Sequence, residues 1–331
     1  MPTLSSPAAH HIPASGIARL TQFGLIEVSG EEAATFLHGQ LTNEIKTLAE
    51  SHACLAGYCS PKGRLLATML VWKNAGAVLL QTPLELQEML QKRLQMYIMR
   101  SKVKLANISA HRVVLGILGT KTLAYITEWF PVPPTSFYES VSNQHGTLIR
   151  LPDSDGIARY QWLAEKEWAE QIWSALSANI PTLTEQIWAL SDIHAGIPHV
   201  TLATQEKFVP QMINYELIGG VNFKKGCYPG QEIVARTHYL GKQKRRMVLS
   251  HIDSINVTSA TEVFTADDPG QPCGMVVNAA RNPAGGSDCL IEIKTEFYNQ
   301  VTVQLGSGEQ CQWLAMPYPL PVELTDDQPA S

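Results

Sequence analysis

The chain has 331 residues, of which 45% are hydrophobic, and a formal net charge of −5. This length predicts two domains or three small ones, and the acidic balance argues against a protein that is basic overall and binds nucleic acid over its whole surface. The N-terminus has no secretory signal and no apolar run is long enough to span a bilayer, so we expect a cytoplasmic protein with no membrane partner.

In chain order, the first half alternates the patterns of strands and helices. Residues 1–16 are rich in Ser, Ala, Pro and His and are predicted to form a disordered tail. The predicted elements that follow are a strand at 23–28, a short helix opened by a Ser29–Glu32 capping box, a strand pair at 65–72 and 77–80, an amphipathic helix after Pro83, a strand at 113–118 and a helix at 120–130. This alternation predicts two subdomains in which helices cover a sheet.

The second half begins with predicted helices and ends with a series of short predicted strands. Helices are predicted at 165–176 and after a Thr182–Glu185 capping box. From Met247 onward, short β-type runs are separated by Pro, Gly, Asp and Asn, which predicts a small all-β domain, either a barrel or a sandwich. These runs lie at 247–252, 274–277, 290–294 and 301–305.

The cysteines and histidines do not form a recognisable metal motif. None of the six cysteines belongs to a Cys-x-x-Cys pair, and the ten histidines contain no His-Glu-x-x-His. This argues against a zinc ribbon and against a thioredoxin-like redox motif. We therefore predict no resident metal site.

The stretch from Lys225 to Glu232, Lys-Gly-Cys-Tyr-Pro-Gly-Gln-Glu, carries the most chemical information. Glycines near Cys227 favour a sharp turn with accessible backbone N–H groups, and a neighbouring ammonium such as that of Lys225 favours a reactive thiolate. The alternative is a tight turn before a strand, with a buried and inert cysteine, because free cysteine is among the most buried residue types. Residue types alone leave both interpretations open.

This motif resembles the signature of the YgfZ family, folate-binding proteins of tRNA modification that are related to the T-protein aminomethyltransferases of glycine cleavage. Four other stretches show the same resemblance: 36–43 (Phe-Leu-His-Gly-Gln-Leu-Thr-Asn), 60–64 (Ser-Pro-Lys-Gly-Arg), 186–198 and 208–214. The resemblance implies an α+β, T-protein-like fold with a C-terminal β-barrel domain. Its expected divisions are the tail at 1–16, a folate-binding region of two subdomains at 17–243, the β-barrel at 244–320 and an acidic tail at 321–331.

The resemblance also implies a tetrahydrofolate site. Trp188 stands where the family has a folate-contacting tryptophan, and Phe23 stands where it often has a second one. Gln211 and Asn214 have the chemistry to hydrogen-bond the pterin edge, and Tyr228 is expected to pack beside the site. The alternatives are a core tryptophan on an amphipathic helix and amides that stabilise a loop.

Three positions depart from the aminomethyltransferase pattern. Phe23 lacks an indole donor, and His194 replaces a glutamate that grips the pterin, although a helix-terminal histidine favoured by the helix dipole is an equal alternative. The turn at 61–64 is followed by Leu65-Leu-Ala-Thr68, without the aspartate that activates the substrate amine. We therefore do not expect the standard glycine-cleavage reaction, and whether the chain is an enzyme stays open.

On this resemblance we expect a folate-binding accessory protein that supports the synthesis or repair of iron–sulfur enzymes, such as tRNA methylthiotransferases, and thereby tRNA thiolation. Cys227 and Lys225 are the expected reactive pair, acting through a nucleophile, a redox relay or a transient ligand of iron or sulfur. The first alternative is a folate-dependent one-carbon transferase or demethylase with an unknown substrate.

Direct tRNA binding is the second alternative, and it would use the one basic cluster of the sequence. The cluster consists of Arg236, His238, Lys242, Lys244, Arg245 and Arg246. Few aromatic residues interleave with these cations, whereas readers of single-stranded RNA normally use them. A solvated loop and hairpin edge is therefore the favoured interpretation of the cluster.

Overall fold

The computed structural model describes residues 12–241, 243–298 and 301–321. Within these ranges the chain forms three antiparallel sheets, six α-helices and three short 3₁₀ segments. Most of the predicted tail at 1–16 and all but one residue of the acidic tail lie outside them. Of the residues from 12 to 16, Ile12 is buried and Gly16 begins the first strand.

The first third of the chain builds the first sheet. In chain order its elements are β1 (Gly16–Arg19), β2 (Phe23–Ser29), α1 (Ala33–His38), β3 (Ala53–Cys59), β4 (Leu65–Asn74), β5 (Ala77–Pro83), α2 (Leu84–Gln95) and β6 (Lys104–Asn107). The strand order is β3-β4-β5-β2-β6. Residues 65–72 of β4 are all buried, which explains why this strand is a continuous apolar run and not an alternating one.

The predicted β4–β5 strand pair is confirmed. Its two-residue turn holds Ala75 at φ +50° and Gly76 at φ +79°, which is the left-handed pair that a type I′ hairpin requires. The helix after Pro83 is also confirmed as α2, and Leu86, Leu90 and Leu94 are buried along one face. Their spacing of four residues places them on one stripe of the helix.

The capping box predicted at Ser29 and Glu32 is wrong. Glu32 precedes α1, but no side-chain cap forms. Its carboxylate instead accepts a hydrogen bond from the backbone N of Lys102, at 2.6 Å. The Glu32 side chain is therefore used in a contact with Lys102, 70 positions away, and cannot cap the helix.

The second sheet follows directly. Its elements are β7 (Arg112–Leu118), α3 (Thr120–Ile126), β8 (Ser140–Asn143), β9 (Gly146–Ser154), β10 (Ile157–Glu165) and α4 (Lys166–Asn179). The strand order is β1-β7-β10-β9-β8, so the first strand of the chain closes the edge of this later sheet. Fully buried Trp162 packs against Trp129 and Trp168, with ring centroids 5.5 and 5.2 Å apart.

A helical segment then joins the second sheet to the third. It contains α5 (Glu185–His194), 3₁₀ turns at Leu202–Thr204 and Pro210–Ile213, and α6 (Gln231–Leu240). The capping box predicted at Thr182 and Glu185 is misplaced by two residues. Thr184 caps α5 by accepting from the backbone N of Ile187, and the Glu185 carboxylate accepts from the backbone N of Thr21 at 2.9 Å.

The third sheet confirms the predicted C-terminal β region as a curled half-barrel. Its strands are β11 (Arg245–Ile252), β12 (Glu262–Thr265), β13 (Asp268–Arg281), β14 (Ser287–Lys294), β15 (Val303–Leu305) and β16 (Cys311–Leu314). The order is β15-β12-β13-β14-β11-β16, and a single bridge between Gln304 and Gln310 joins the two end strands. The whole is an α+β fold, with α5 packed against β13 of the third sheet and β1 of the second.

Candidate functional site

A pocket lies between the first two sheets and the segment that follows α5. Its cavity has a volume of about 30 Å³ and is partly open to solvent. Its apolar walls are Phe23, Leu55, Met69, Leu70, Leu151, Ile197 and Pro198. Its polar lining consists of Thr68, Gln81, Tyr138, Gln161, Asp192, His199 and Tyr215. An apolar lining with a few convergent polar groups is typical of a small-molecule site.

Asp192 supplies the negative charge of this pocket. Its side chain is 7% exposed and forms an ion pair with the fully buried guanidinium of Arg159, while its Oδ2 lies 3.2 Å from Nε2 of His199. Burial raises the pKa of Asp192, but the charge of Arg159 and the hydrogen bond from His199 outweigh it and hold the pKa below its ordinary value. The pocket therefore presents an ionised carboxylate.

Two buried polar atoms of the pocket have no hydrogen-bond partner among the described residues. They are Oε1 of Gln161 and the hydroxyl of Tyr138. Tyr138 also has φ at +64°, in the left-handed region. This conformation is rare for a bulky residue, and such strained residues cluster at functional sites. Unpaired buried polar atoms cost free energy, so these two are suited to a ligand that pairs with them.

The two aromatic residues predicted to wall the site occupy different places. Phe23 lines the pocket, with its ring centroid 5.4 Å from that of His199. Trp188 is fully buried and is not part of the lining; its ring lies 4.8 Å from the Arg159 guanidinium. Trp188 also fills the space above Gly116, where a Cβ atom would approach its ring to 2.4 Å. Trp188 therefore supports the cation that holds Asp192.

Gln211 and Asn214 lie outside the pocket lining. The Nδ2 of Asn214 donates to the backbone O of Met247 at 2.7 Å, which fastens the chain to the start of the third sheet. The Nε2 of Gln211 donates to the backbone O of Val234 at 2.7 Å. Each amide thus stabilises a loop. Their next neighbour, Tyr215, does line the pocket, and its hydroxyl donates to the backbone O of Ala56 at 3.0 Å.

The loop from Lys225 to Gly230 forms a second feature. Cys227 is exposed, so the interpretation of a buried, inert cysteine is wrong, and the other five cysteines are buried or half-buried. Lys225 donates from Nζ to the backbone O of Leu41 at 2.9 Å, and Nζ lies 4.8 Å from the ring centroid of Tyr228. Burial lowers the pKa of Lys225 to about 8, against the raising effects of Glu44 and Cys227.

Gly230 fixes this loop against the first sheet. It holds φ at +80°, and a Cβ atom there would lie 2.4 Å from the backbone O of Ser60 and 2.6 Å from the backbone N of Gly63. The loop is followed by α6 and not by the predicted strand, because the left-handed glycine reverses the chain into a helix that buries Val234. The stretch at 225–232 therefore contacts both 36–43 and 60–64.

β3 runs from the pocket toward the loop that carries the exposed thiol. Leu55 of β3 lines the pocket, while Cys59 at the other end of that strand interacts electrostatically with Tyr228 beside Cys227. Four residues of strand correspond to about 13 Å. Cys227 is not part of the pocket lining. The geometry thus describes two neighbouring sites.

The predicted basic cluster does not stay together as free cations. Arg245 pairs with Glu292 at 2.8 Å and Arg246 pairs with Glu216, so two of its members are neutralised. Arg236 and His238 lie on α6, where the ring of His238 stacks on Phe223 at 3.8 Å. Lys242 lies outside the described residues.

His194 points away from the pocket and joins the second and third sheets. Its Nδ1 lies 2.8 Å from Oδ2 of Asp155, and its Nε2 lies 2.7 Å from Oδ2 of Asp288. Burial lowers the pKa of His194, but the hydrogen bonds to the two carboxylates outweigh it and raise the pKa to about 9. His194 is therefore a cation at neutral pH that links β14 to the β9–β10 turn.

Within the described residues, no group of three or more His, Cys, Asp or Glu side chains is arranged to hold a metal ion. None of the described helices has the length and apolar character needed to cross a membrane.

Comparison with known proteins identifies relatives in sequence and in fold. The chain is 31% identical over 241 residues to the tRNA-modifying protein YgfZ of Colwellia psychrerythraea, covering 73% of each chain. It is 28% identical over 228 residues to the protein of the same name from Klebsiella pneumoniae, covering 69% of each. Glycine cleavage system aminomethyltransferase T from Bartonella henselae superposes with a TM-score of 0.74 at 14% identity, over 93% of this chain and 87% of that one. This confirms the predicted T-protein-like fold. No family model matches the chain.

Proposed function

The chain belongs to the YgfZ family, and from that membership we propose that it is a folate-binding protein that acts in tRNA modification. Its ligand is tetrahydrofolate, held in the pocket between the first two sheets. Its role is that of an accessory protein, which supports the iron–sulfur enzymes that thiolate tRNA bases, such as tRNA methylthiotransferases. A chain with six free cysteines suits a reducing compartment, and we place this role in the cytoplasm.

The observation that carries the proposal is the pair of unpartnered polar atoms in an apolar pocket. A pterin is a flat bicycle with hydrogen-bond donors and acceptors along one edge. Phe23 supplies an aromatic wall, while Gln161 Oε1 and the Tyr138 hydroxyl are a buried acceptor and a buried hydroxyl without partners. Asp192 adds fixed negative charge for the N–H groups of the ring. The chemistry of these residues therefore suits the edge of a pterin.

Cys227 and Lys225 are the proposed reactive pair. The thiol is exposed, while Lys225, two residues before it, is a buried residue whose Nζ donates to the backbone oxygens of His38 and Leu41. An exposed thiol is open to electrophiles and to metals, which its thiolate form attacks and binds. We propose that this thiol makes the transient contact with iron or sulfur, with Tyr228 packed beneath Lys225. Trp188, Gln211 and Asn214 act by holding the surrounding chain.

The proposed domain boundaries follow the three sheets. We propose that 17–243 is the folate-binding region, with one subdomain for each of the first two sheets, and that 244–320 is a separate C-terminal domain. The third sheet supports this division, because all its strands lie between Arg245 and Leu314.

Direct binding of tRNA is less well supported than the accessory role. Two cations of the basic cluster that would bind tRNA, Arg245 and Arg246, already form ion pairs with Glu292 and Glu216. A cation that is already paired gains little from a phosphate, because the contact to its carboxylate has to be given up.

The proposed function is tested by mass spectrometry of thiolated tRNA nucleosides in cells whose own copy of the gene is deleted. The wild-type chain restores them, while Cys227→Ala and Gln161→Leu each restore less than a third of the wild-type amount at equal protein level. Cys311→Ala is the matched control, because this thiol is buried in the third sheet, and it restores fully. Full restoration by both site variants would contradict the proposal.

A further inference from the structure

The backbone around His199 is held in one place by contacts to two elements. Its backbone N donates to Oδ1 of Asn278 at 2.8 Å, and its backbone O accepts from Nδ2 of Asn278 at 2.9 Å. The next residue, Val200, donates its backbone N to Oγ1 of Thr68 at 3.0 Å. The third sheet and β4 thus fix the backbone that presents the imidazole.

The imidazole itself is oriented by a charged partner. Its Nε2 faces Oδ2 of Asp192 at 3.2 Å, and the other carboxylate oxygen is paired with Arg159. Because this carboxylate is ionised, the imidazole places its hydrogen on Nε2 and donates it to Asp192. Nδ1 then has a lone pair and no hydrogen-bond partner among the described residues. His199 lines the pocket with 26% of its side chain exposed, so the ring can meet a ligand there.

The other ionisable groups around His199 keep one charge state near neutral pH. Asp192 stays ionised and Arg159 stays charged. Burial raises the pKa of both Tyr138 and Tyr215, so neither phenol ionises in this range. Phe23, Thr68 and Asn278, which face His199 from the other elements, do not titrate.

We propose that His199 and Asp192 form a proton-transfer dyad for the ligand of this pocket. Nδ1 exchanges a proton with a nitrogen or oxygen on the edge of a bound heteroaromatic ring. In the donating direction, the Nδ1–H bond breaks, a bond from that hydrogen to the ligand atom forms, and the electron pair stays on Nδ1. Asp192 keeps the hydrogen bond to Nε2 throughout and stabilises the imidazolium. This replaces the acid/base that is missing after the turn at 61–64, and it rests on the proposed binding of a folate.

The test is calorimetric titration of the full chain with 5-formyltetrahydrofolate, an air-stable reduced folate, in two buffers of different ionisation enthalpy between pH 6 and 8. The wild type is expected to show a buffer-dependent enthalpy, because a ligand atom that accepts a hydrogen bond from Nδ1 requires His199 to take up a proton from the buffer on binding. His199→Gln keeps a hydrogen-bonding side chain, so it is expected to bind about tenfold more weakly at most and to lose the buffer dependence. Binding by the wild type without buffer dependence, or equal proton exchange in His199→Gln, would overturn the dyad and leave the folate site standing.

Absence of any binding by the wild type would overturn the proposed folate site, and the dyad with it. A second measurement requires no variant. In the ¹⁵N spectrum of the ligand-free wild type above the imidazole's titration, we expect hydrogen on Nε2 and none on Nδ1 of His199. The opposite tautomer would contradict the orientation by Asp192 and overturn the proposal.

Discussion

At the scale of single residues, the pocket depends on one buried ion pair. The Arg159 side chain is fully buried and that of Asp192 is 7% exposed, and the guanidinium lies between the carboxylate and the ring of Trp188. A buried charge is tolerated only when it is paired, because water no longer solvates it. The order Trp188, Arg159, Asp192 therefore leads from the core to the pocket.

Removing Arg159 leaves an uncompensated buried carboxylate. We predict that Arg159→Met lowers the free energy of unfolding by about 3–5 kcal/mol at neutral pH, measured by urea denaturation. Arg112→Met is the matched control: its pair with Glu165 has side chains 30% and 53% exposed, so its loss costs about 1 kcal/mol or less. Equal costs for the two variants would contradict the account of Asp192.

At the scale of elements, three residues of the ten-residue helix α5 have different roles. Trp188 and Asp192 are four residues apart and share one face of the helix, whereas His194 lies further round and reaches Asp155 and Asp288. The sequence identified Trp188, and the same spacing could have indicated Asp192. The sequence pattern could not decide whether Trp188 lines the pocket or packs behind it. That depends on Arg159, which belongs to the second sheet.

The thiol loop depends on the glycine that ends it. We predict that Gly230→Ala destabilises the chain by about 2 kcal/mol more than Gly219→Ala, measured by urea denaturation. Both glycines hold φ at +80°, so each variant carries the same backbone strain of about 1–2 kcal/mol. Only position 230 also places a Cβ atom against the backbone of Ser60 and Gly63, while position 219 has open space. Equal losses would show that the packing of the loop on the first sheet is unimportant.

The same scale shows what local patterns can predict. The β4–β5 hairpin and α2 followed from Asn74-Ala-Gly76 and from an apolar stripe, since both depend on neighbours in sequence. Both capping boxes failed, because Glu32 and Glu185 bind the distant backbone of Lys102 and Thr21. The pocket's polar residues Tyr138, Gln161 and His199 come from separate elements and carry no common motif. Sequence reasoning therefore found the fold and the thiol loop, but it found Phe23 alone among the residues of the pocket.

At the scale of the whole molecule, a cluster of charges joins the second and third sheets. Asp288 of β14 accepts from His194 and His251 at 2.7 and 2.6 Å and from Asn282 at 2.8 Å. His194 also contacts Asp155 of the β9–β10 turn. The protonated form of His194 is thus favoured by the assembled fold over the unfolded chain.

This cluster predicts a loss of stability at high pH. The pKa of His194 rises from an ordinary 6.5 to about 9 in the fold, so its contribution is complete below pH 6.5 and is lost as the pH rises through about 9. We expect the wild type to lose about 3 kcal/mol at most from this residue between pH 6 and pH 10. His194→Gln removes that part of the loss, while His111→Gln, at an exposed histidine, keeps it. Urea denaturation at both pH values measures the difference, and parallel losses in all three proteins would rule out the cluster as its source.

The central claim is that the pocket between the first two sheets binds folate, and its most direct measurement is calorimetric titration with tetrahydrofolate of the wild type, Gln161→Leu and Cys227→Ala. The account predicts one saturable site in the wild type, binding at least tenfold weaker in Gln161→Leu, and unchanged binding in Cys227→Ala, because Cys227 is not part of the pocket lining. Absence of binding by the wild type, or binding that depends on Cys227 and not on Gln161, would contradict it.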